Sequence, residues 1–234
     1  MLLTACAGES VGNRNERNPL TLEVGGTVQE WVGKRATVRA VAGDYGRVYR
    51  DVPLAEGVLE ADGSFLLTLP SADEIPDEVF YPAKSLFSCI KGIPGGHQGE
   101  TGSVEVVPEA LNYVYLEAFA VFLPDTDANR EGDIFYSTYD ADTNTGQDIV
   151  YLYATTDGTV KGRCTTSVGE NQDGYDASDS YDLTLKAGWN KVIATDTSSL
   201  RGVTLSLTTG PLPEGLTWQY LDYSSFPKDG PPEP

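Results

Sequence analysis

Apolar and polar residues alternate one by one through most of this chain, and a period of two is satisfied only by extended backbone, whose successive side chains face opposite ways. Leu22-Glu23-Val24, Thr27-Val28-Gln29, Ala36-Thr37-Val38-Arg39-Ala40-Val41 and Val58-Leu59-Glu60-Ala61 all follow it. Asp62-Gly63 joins the last of these to Ser64–Leu69, a strong hairpin signal. This predicts four or five strands before Pro70. Ser71 and Glu74 then have the spacing of a capping box, which predicts a short helix before Pro82. The glycines between Pro82 and Thr101 mark a long connecting loop.

The period of two resumes at Ser103–Val107 and Asn112–Leu123. Within the second run, Tyr113–Phe122 is almost wholly apolar, as expected of a central strand covered on both faces. Further strands are expected at Ile134–Tyr139, Ile149–Ala154, Thr159–Thr165, Tyr181–Leu185, Asn190–Thr195, Val203–Leu207 and Thr217–Leu221. Short strands at this spacing argue for a sandwich. The expected fold class is all-β, with two β-sandwich domains, the N-terminal one small and the C-terminal one larger. The division reads 1–19 as a flexible tether, 20–72 as the small sandwich, 73–102 as a connector, 103–223 as the larger sandwich and 224–234 as a loose tail.

Gly25-Gly26-Thr27-Val28, the Ala36–Val41 run and Ala61-Asp62-Gly63-Ser64-Phe65-Leu66-Leu67-Thr68-Leu69-Pro70 together resemble the small prealbumin-like sandwiches of the carboxypeptidase regulatory type. That resemblance implies a non-catalytic spacer or adhesive unit over roughly residues 20–70.

Leu3-Thr4-Ala5-Cys6 resembles the bacterial lipobox, in which small residues precede a cysteine that receives a lipid. The resemblance implies export and lipid attachment at Cys6, in the bacterial cell envelope. The polar stretch that follows, Ala7–Pro19, suits a spacer behind such an anchor. With Cys6 set apart, Cys89 and Cys164 form an even pair, for which a disulfide is the default in an oxidising compartment. Two unbonded buried thiols are the alternative. The lipobox, the Gly-Thr-Val and Asp-Gly-Ser-Phe module, Gly162-Arg163-Cys164 and the turn Lys186-Ala187-Gly188-Trp189-Asn190 resemble envelope lipoproteins of the deinococcal type. That likeness implies the outer envelope as location and a surface-layer or other envelope protein as partner.

The formal net charge of -19 excludes a phosphate-binding nucleic-acid partner and an anionic lipid surface, because neither finds a basic face. No apolar run reaches the ~18 residues that span a bilayer. Between Asp125 and Asp182, thirteen carboxylates face three basic residues. Asp140, Asp142 and Asn144 have a D-x-D-x-N spacing whose oxygens can converge on a hard cation such as Ca²⁺. Asp148 adds a further carboxylate to the same loop, and if the strands run up and down in order, Asp173 and Asp176 face that set from the 170–179 loop. Asp125, Asp127 and Asn129 repeat the spacing as a weaker second set. Neither is an EF-hand, since the glycine and the bidentate glutamate are missing. The competing explanation is that Asp, Asn and Gly favour turns for backbone reasons alone.

Tyr136, Tyr139, Tyr151 and Tyr153 crowd the same acidic segment and form a candidate binding face for a glycan or a protein. An enzyme has little support. His97 is the single histidine, set among glycines, and no nucleophile motif stands for it to serve. A copper-dependent sandwich dismutase needs several imidazoles. The function expected is therefore a non-catalytic envelope lipoprotein with a structural or binding role. A Ca²⁺-dependent carbohydrate-binding or adhesion module is the alternative.

Overall fold

The computed structural model describes residues 21–43, 51–87, 89, 100–124, 130–168, 175–199 and 202–223. The expected tether, the tail, Cys6, His97, Asp125, Asp127, Asn129 and Asp173 lie outside these residues.

Local chemistry sets the first hairpin. Strands β1 (Leu22–Thr27), β2 (Ala36–Gly43), β3 (Asp51–Leu59) and β4 (Ser64–Leu69) fill the N-terminal part. Between β3 and β4, the Asp62 carboxylate accepts from the Ser64 amide at 3.0 Å and the Ser64 hydroxyl at 2.7 Å. Gly63 supplies the left-handed φ of 84° that this turn needs. The Ser71–Glu74 pairing also forms, with the Ser71 amide donating to the Glu74 carboxylate at 2.9 Å. It closes a turn rather than starting a helix; the helical turns come later, at Asp77–Val79 (3-10) and in α1 (Ala83–Leu86). Pro76, at the head of the first of these, stops a helix from running through from Ser71.

The C-terminal part adds β5 (Tyr81–Pro82), β6 (Glu100–Val107), β7 (Asn112–Phe122), β8 (Gly132–Asp140), β9 (Thr145–Ala154), β10 (Gly158–Val168), β11 (Tyr175–Leu185), β12 (Gly188–Ser199), β13 (Gly202–Thr208) and β14 (Thr217–Asp222). The fold is all-β. Its strands join in the order β1-β4-β3-β2-β7-β8-β9-β12-β13-β11-β10-β6, with β14 on β8 and β5 on β7. Most pairs are antiparallel, but β11 and β13 run parallel.

The connector does not interrupt the sheet. Strand β2 pairs with β7 in the register Val38↔Val121. One core cluster draws Val38, Leu59 and Leu69 from before the connector and Phe119, Ile134 and Trp218 from after it. The described residues of 20–72 and of 103–223 thus share a sheet and a core, to which 73–102 itself adds β5 and the Ala83 and Phe87 side chains.

Strand β14 brings the N-terminal lobe nearly full circle. Val28 bridges to Trp218, and the Gln29 amide donates to the Trp218 carbonyl at 2.8 Å. The ring β1-β4-β3-β2-β7-β8-β14 therefore closes around that first core. Trp218 fills its centre, edge-on to Phe65 and Phe119 and stacked on Tyr136. A second cluster, with Phe87, Leu111, Tyr113, Leu152, Leu183 and Leu185, lies under β9 to β12. Strand β7 serves both lobes. Its first half pairs with β9 through Tyr113↔Ala154, and its second half with β8 through Phe119↔Ile134. This bears out the covered central strand expected from its apolar run. At 25 cal/mol per Å² of apolar surface, each large side chain sealed in these clusters contributes about 1.5–3 kcal/mol before entropy is counted.

Cys89 and Cys164 are bonded, closing a loop with a sequence separation of 75 residues. The bond ties the connector to β10.

Candidate functional site

The β8–β9 hairpin is tighter than the sequence reading allows, and that redistributes the candidate cation ligands. Only residues 141–144 form the turn, so Asp148 stands inside β9 and Asp176 inside β11. Asp140 lies opposite Thr145 in the hairpin register, and Asp148 lies opposite Ser137. Positions 140 and 137 differ in parity, so Asp140 and Asp148 occupy opposite faces of the sheet and cannot share an ion. The β8–β9 turn and the Val168 and Tyr175 ends of β10 and β11 lie at the same end of the sheet, as expected. Strands β12 and β13, however, separate β9 from β11. Four strand spacings put Asp176 about 19 Å from Asp140.

The loop's own oxygens are turned inward to its backbone. The Asp140 carboxylate accepts from the Asp142 amide at 2.9 Å and the Thr143 amide at 3.4 Å. A Thr143 side-chain hydrogen bond, with help from the Asp142 amide, holds the Asp140 carboxyl below its usual range. Asn144 takes the left-handed φ of 51° at the hairpin corner. Its amide oxygen accepts from the Tyr139 hydroxyl, and its nitrogen donates to the Ser198 carbonyl at 2.6 Å. These are the contacts of a self-sufficient turn. Among the described residues no three His, Cys, Asp or Glu side chains are placed to hold a metal ion.

The four tyrosines do not form a face either. Tyr151 and Tyr153 are each 3 % exposed and belong to different core clusters. Tyr153 packs edge-on against Trp189 and Phe80. Tyr136 stacks on Trp218, and only Tyr139 is well exposed. Large rings on the inward parity of strands are drawn to the core whatever their hydroxyls could bind.

Two cavities can be placed among the described residues. One, of about 120 Å³, fills the window where β8 and β9 part around β7, lined by Phe119, Tyr136, Asp148 and Tyr151 among others. Burial there pushes the Asp148 carboxyl above its usual range, and the neighbouring Asp196 adds to the shift. Burial likewise raises the Tyr151 hydroxyl. The other is a groove of about 510 Å³ between the β1–β2 loop and the end of β14, walled by Trp31, Val32, Leu123 and Tyr220 with Lys34 and Asp222 at its margin. Trp31 meets Tyr220 edge-on at 4.9 Å. The Trp31 indole N–H is buried there with no hydrogen-bond partner among the described residues. Burial, with nearby carboxylates, pushes the Tyr220 hydroxyl up to about 12.

The surface that sequence reasoning missed is the outer face of the C-terminal lobe. Strand register lines up hydroxyl side chains across it in ranks. The first rank runs Thr101, Thr165, Ser178, Thr204, Thr197, Thr145 through β6, β10, β11, β13, β12 and β9, with Ser178 buried, and meets Asp140 on β8. The second, two residues along, runs Ser103, Arg163, Ser180, Ser206, Thr195, Gln147 and reaches Thr138 on β8. Neighbours bond laterally. The Thr145 and Thr197 hydroxyls lie 3.2 Å apart, Gln147 donates to Thr195 at 3.3 Å, and Arg163 donates to Ser178 at 3.2 Å. Beyond these ranks come Lys161, paired to Asp182 at 3.0 Å, and then Ile149 and Ile193, buried where the face passes under the N-terminal lobe. The signal available in sequence was the alternation Thr195-x-Thr197, Thr204-x-Ser206-x-Thr208 and Ser178-x-Ser180.

No family model matches this chain, and neither does any curated protein or solved structure compared with it.

Proposed function

We propose that this is an exported, non-catalytic envelope lipoprotein, acylated at Cys6, whose folded part has a structural or binding role beside other envelope components. The observation that carries the reading is the Cys89–Cys164 bond. A disulfide stapling a long loop belongs to an oxidising compartment. It also consumes two of the three cysteines, leaving Cys6 as the thiol that a lipid would take. The sheet supports a holding role, because strands from before and after the connector both hang on β7.

Metabolic labelling of the natural gene product with a tagged fatty acid tests this. Label on the protein, lost in Cys6→Ser together with its recovery in the membrane fraction, is the expected result. An unlabelled protein, or a Cys6→Ser variant that still carries label, overturns the proposal.

A further inference from the structure

We infer that the mouth of the N-terminal ring is a docking groove for a proline-rich segment in the polyproline conformation, and that its occupant is this chain's own Pro231-Pro232-Glu233-Pro234. The inference is independent of acylation at Cys6.

The groove is built where three strands finish together. Strands β1 and β14 run parallel through the Val28–Trp218 bridge, so the β1–β2 loop and Tyr220 reach the same end of the ring. Strand β7, antiparallel to β2, delivers Leu123 there. Barrel mouths commonly hold binding sites, and a volume of about 510 Å³ is ample for one. Gly33 braces the Trp31 wall: a Cβ at Gly33 would come within 2.1 Å of the indole, so the loop backbone lies against the ring. Trp31 and Tyr220 meet at 87°, which lines the groove with two ring planes at right angles. Val32, beside them, is 97 % exposed.

Three features select the occupant. An aromatic-lined groove suits a proline-rich segment, whose polyproline helix is already ordered before it binds. Second, proline brings a carbonyl acceptor and no amide donor. The Trp31 indole N–H, buried without a partner among the described residues, calls for an acceptor. A segment with ordinary amides would add donors that the apolar walls leave unmatched. Third, the charges balance. The margin holds Lys34 with Glu30 and Asp222, and residues 224–234 bring Lys228 with Asp229 and Glu233, so both sides carry both signs.

Position in the chain makes the occupant intramolecular. Asp222 stands at the groove margin and Tyr223 follows it. Pro231 and Pro234 have the P-x-x-P spacing, which puts both on one face of a helix with three residues per turn. From Tyr223 back to Tyr220 is three strand residues, about 10 Å. Residues 224–230 reach up to about 22 Å in the polyproline conformation, so they cover that return with slack. A tether this short holds the segment at an effective concentration on the order of millimolar, so even a weak groove fills from its own chain first.

The test is NMR of the full chain bearing Cys6→Ser and a nitroxide on Glu233→Cys, which leaves the prolines in place. The Trp31 indole N–H peak, assigned by its loss in Trp31→Phe, should be broadened away. The Trp189 indole should keep its intensity: it donates to the Pro70 carbonyl, just past β4, whose end pairs with the start of β1 at the far end of the ring. Pro231→Gly, Pro232→Gly and Pro234→Gly together keep the tether length and should restore most of the Trp31 peak. The inference is overturned if the labelled chain leaves the Trp31 peak intact. Broadening that persists undiminished in the glycine variant also overturns it, since a tether wandering near its root would then account for the effect. So does equal broadening in a mixture of nitroxide-bearing protein and isotope-enriched protein without the label, because the segment would then dock on a second copy. The acylation assay can succeed or fail independently of any of these results.

Discussion

Arg130 grips Asp133 with both ends of its guanidinium, Nε to Oδ1 and Nη2 to Oδ2, each at 2.7 Å, at the mouth of β8. Asp133 is 2 % exposed. The Tyr223 hydroxyl donates to its Oδ2, and the guanidinium lies 5.8 Å from the centre of the Tyr223 ring. Because Tyr223 immediately follows β14, this group pins the strand that closes the N-terminal ring. A buried carboxylate is tolerated only when so enclosed. Removing the arginine strands it, at a cost of about 3 kcal/mol, the low end of the range because Arg130 retains some exposure. Arg130→Met should therefore lower the urea midpoint with an unchanged m-value, and Arg130→Met with Asp133→Leu should recover most of the loss. A double variant as unstable as the single one would show that the charge pair is not the cause.

The Cys89–Cys164 bond restrains a long loop in the unfolded chain. In the chain-entropy model, a separation of 75 residues is worth about 4 kcal/mol. Cys89→Ser with Cys164→Ser should lower stability by about that amount in denaturant titration. A reducing agent should bring the wild type down to the same midpoint. If the wild type is unmoved by reduction while the double variant is destabilised, the loss is packing at Cys164 and not loop closure.

The local geometry of this protein was legible in its sequence. Asp62-Gly63, the apolar run of β7 and the pairing of Cys89 with Cys164 act over short range or leave a compositional mark, and each was read correctly. What a strand pairs with is a different matter. The β2–β7 join, the parallel β11–β13 pair and the bridge from Val28 to Trp218 are decided by which long-range partners bury most surface. Period two is the same for every candidate partner. The scattering of the expected cation ligands has a similar origin. Asp140 and Asp148 are near in sequence, yet strand parity sets them back to back, and this appears only once the turn is known to span residues 141–144. The hydroxyl ranks were invisible for the same reason: Thr195-x-Thr197 looks like any polar strand face until register aligns it with Thr204, Ser178 and Thr145.

Trp218 links the two ends of the N-terminal ring, and its indole sits against Gly26. A Cβ at Gly26 would come within 2.5 Å of the Trp218 ring. Gly26→Ala should accordingly cost about 1–3 kcal/mol through overpacking. Trp218→Ala should cost about 3–5 kcal/mol, because it empties the space between Phe65, Phe119 and Tyr136. Hydrogen exchange should separate the two effects from global loss: the amide of Gln29, which donates to the Trp218 carbonyl, should lose protection before that of Val38. Equal loss at both positions would mean that β14 is not the closing strand of a separately opening ring.

Asp148 gives the protein a stability profile of unusual sign for a carboxylate. Burial disfavours its charged form, and Asp196 on the adjacent strand repels it further, so its pKa is raised in the folded state above the ordinary 3.8. Between the unfolded and folded values the native state then holds the extra proton, and stability falls as pH rises through that window. Below 3.8 the contribution vanishes, since both states are protonated there. At neutral pH it is fully present as a destabilisation, because folding confines a charge that the unfolded chain leaves in water. Asp148→Asn removes the charge at similar size. It should raise the melting temperature at pH 7, and that advantage should shrink steadily as pH is lowered toward 4. Asp196→Asn should reproduce a smaller part of the effect, since it lifts only the repulsion and leaves the burial of Asp148 in place. Scanning calorimetry of the three proteins across that range decides the matter. If Asp148→Asn is no more stable than the wild type at pH 7, or its advantage does not depend on pH, then Asp148 is charged without penalty and the window between β7, β8 and β9 is as wet as bulk solvent.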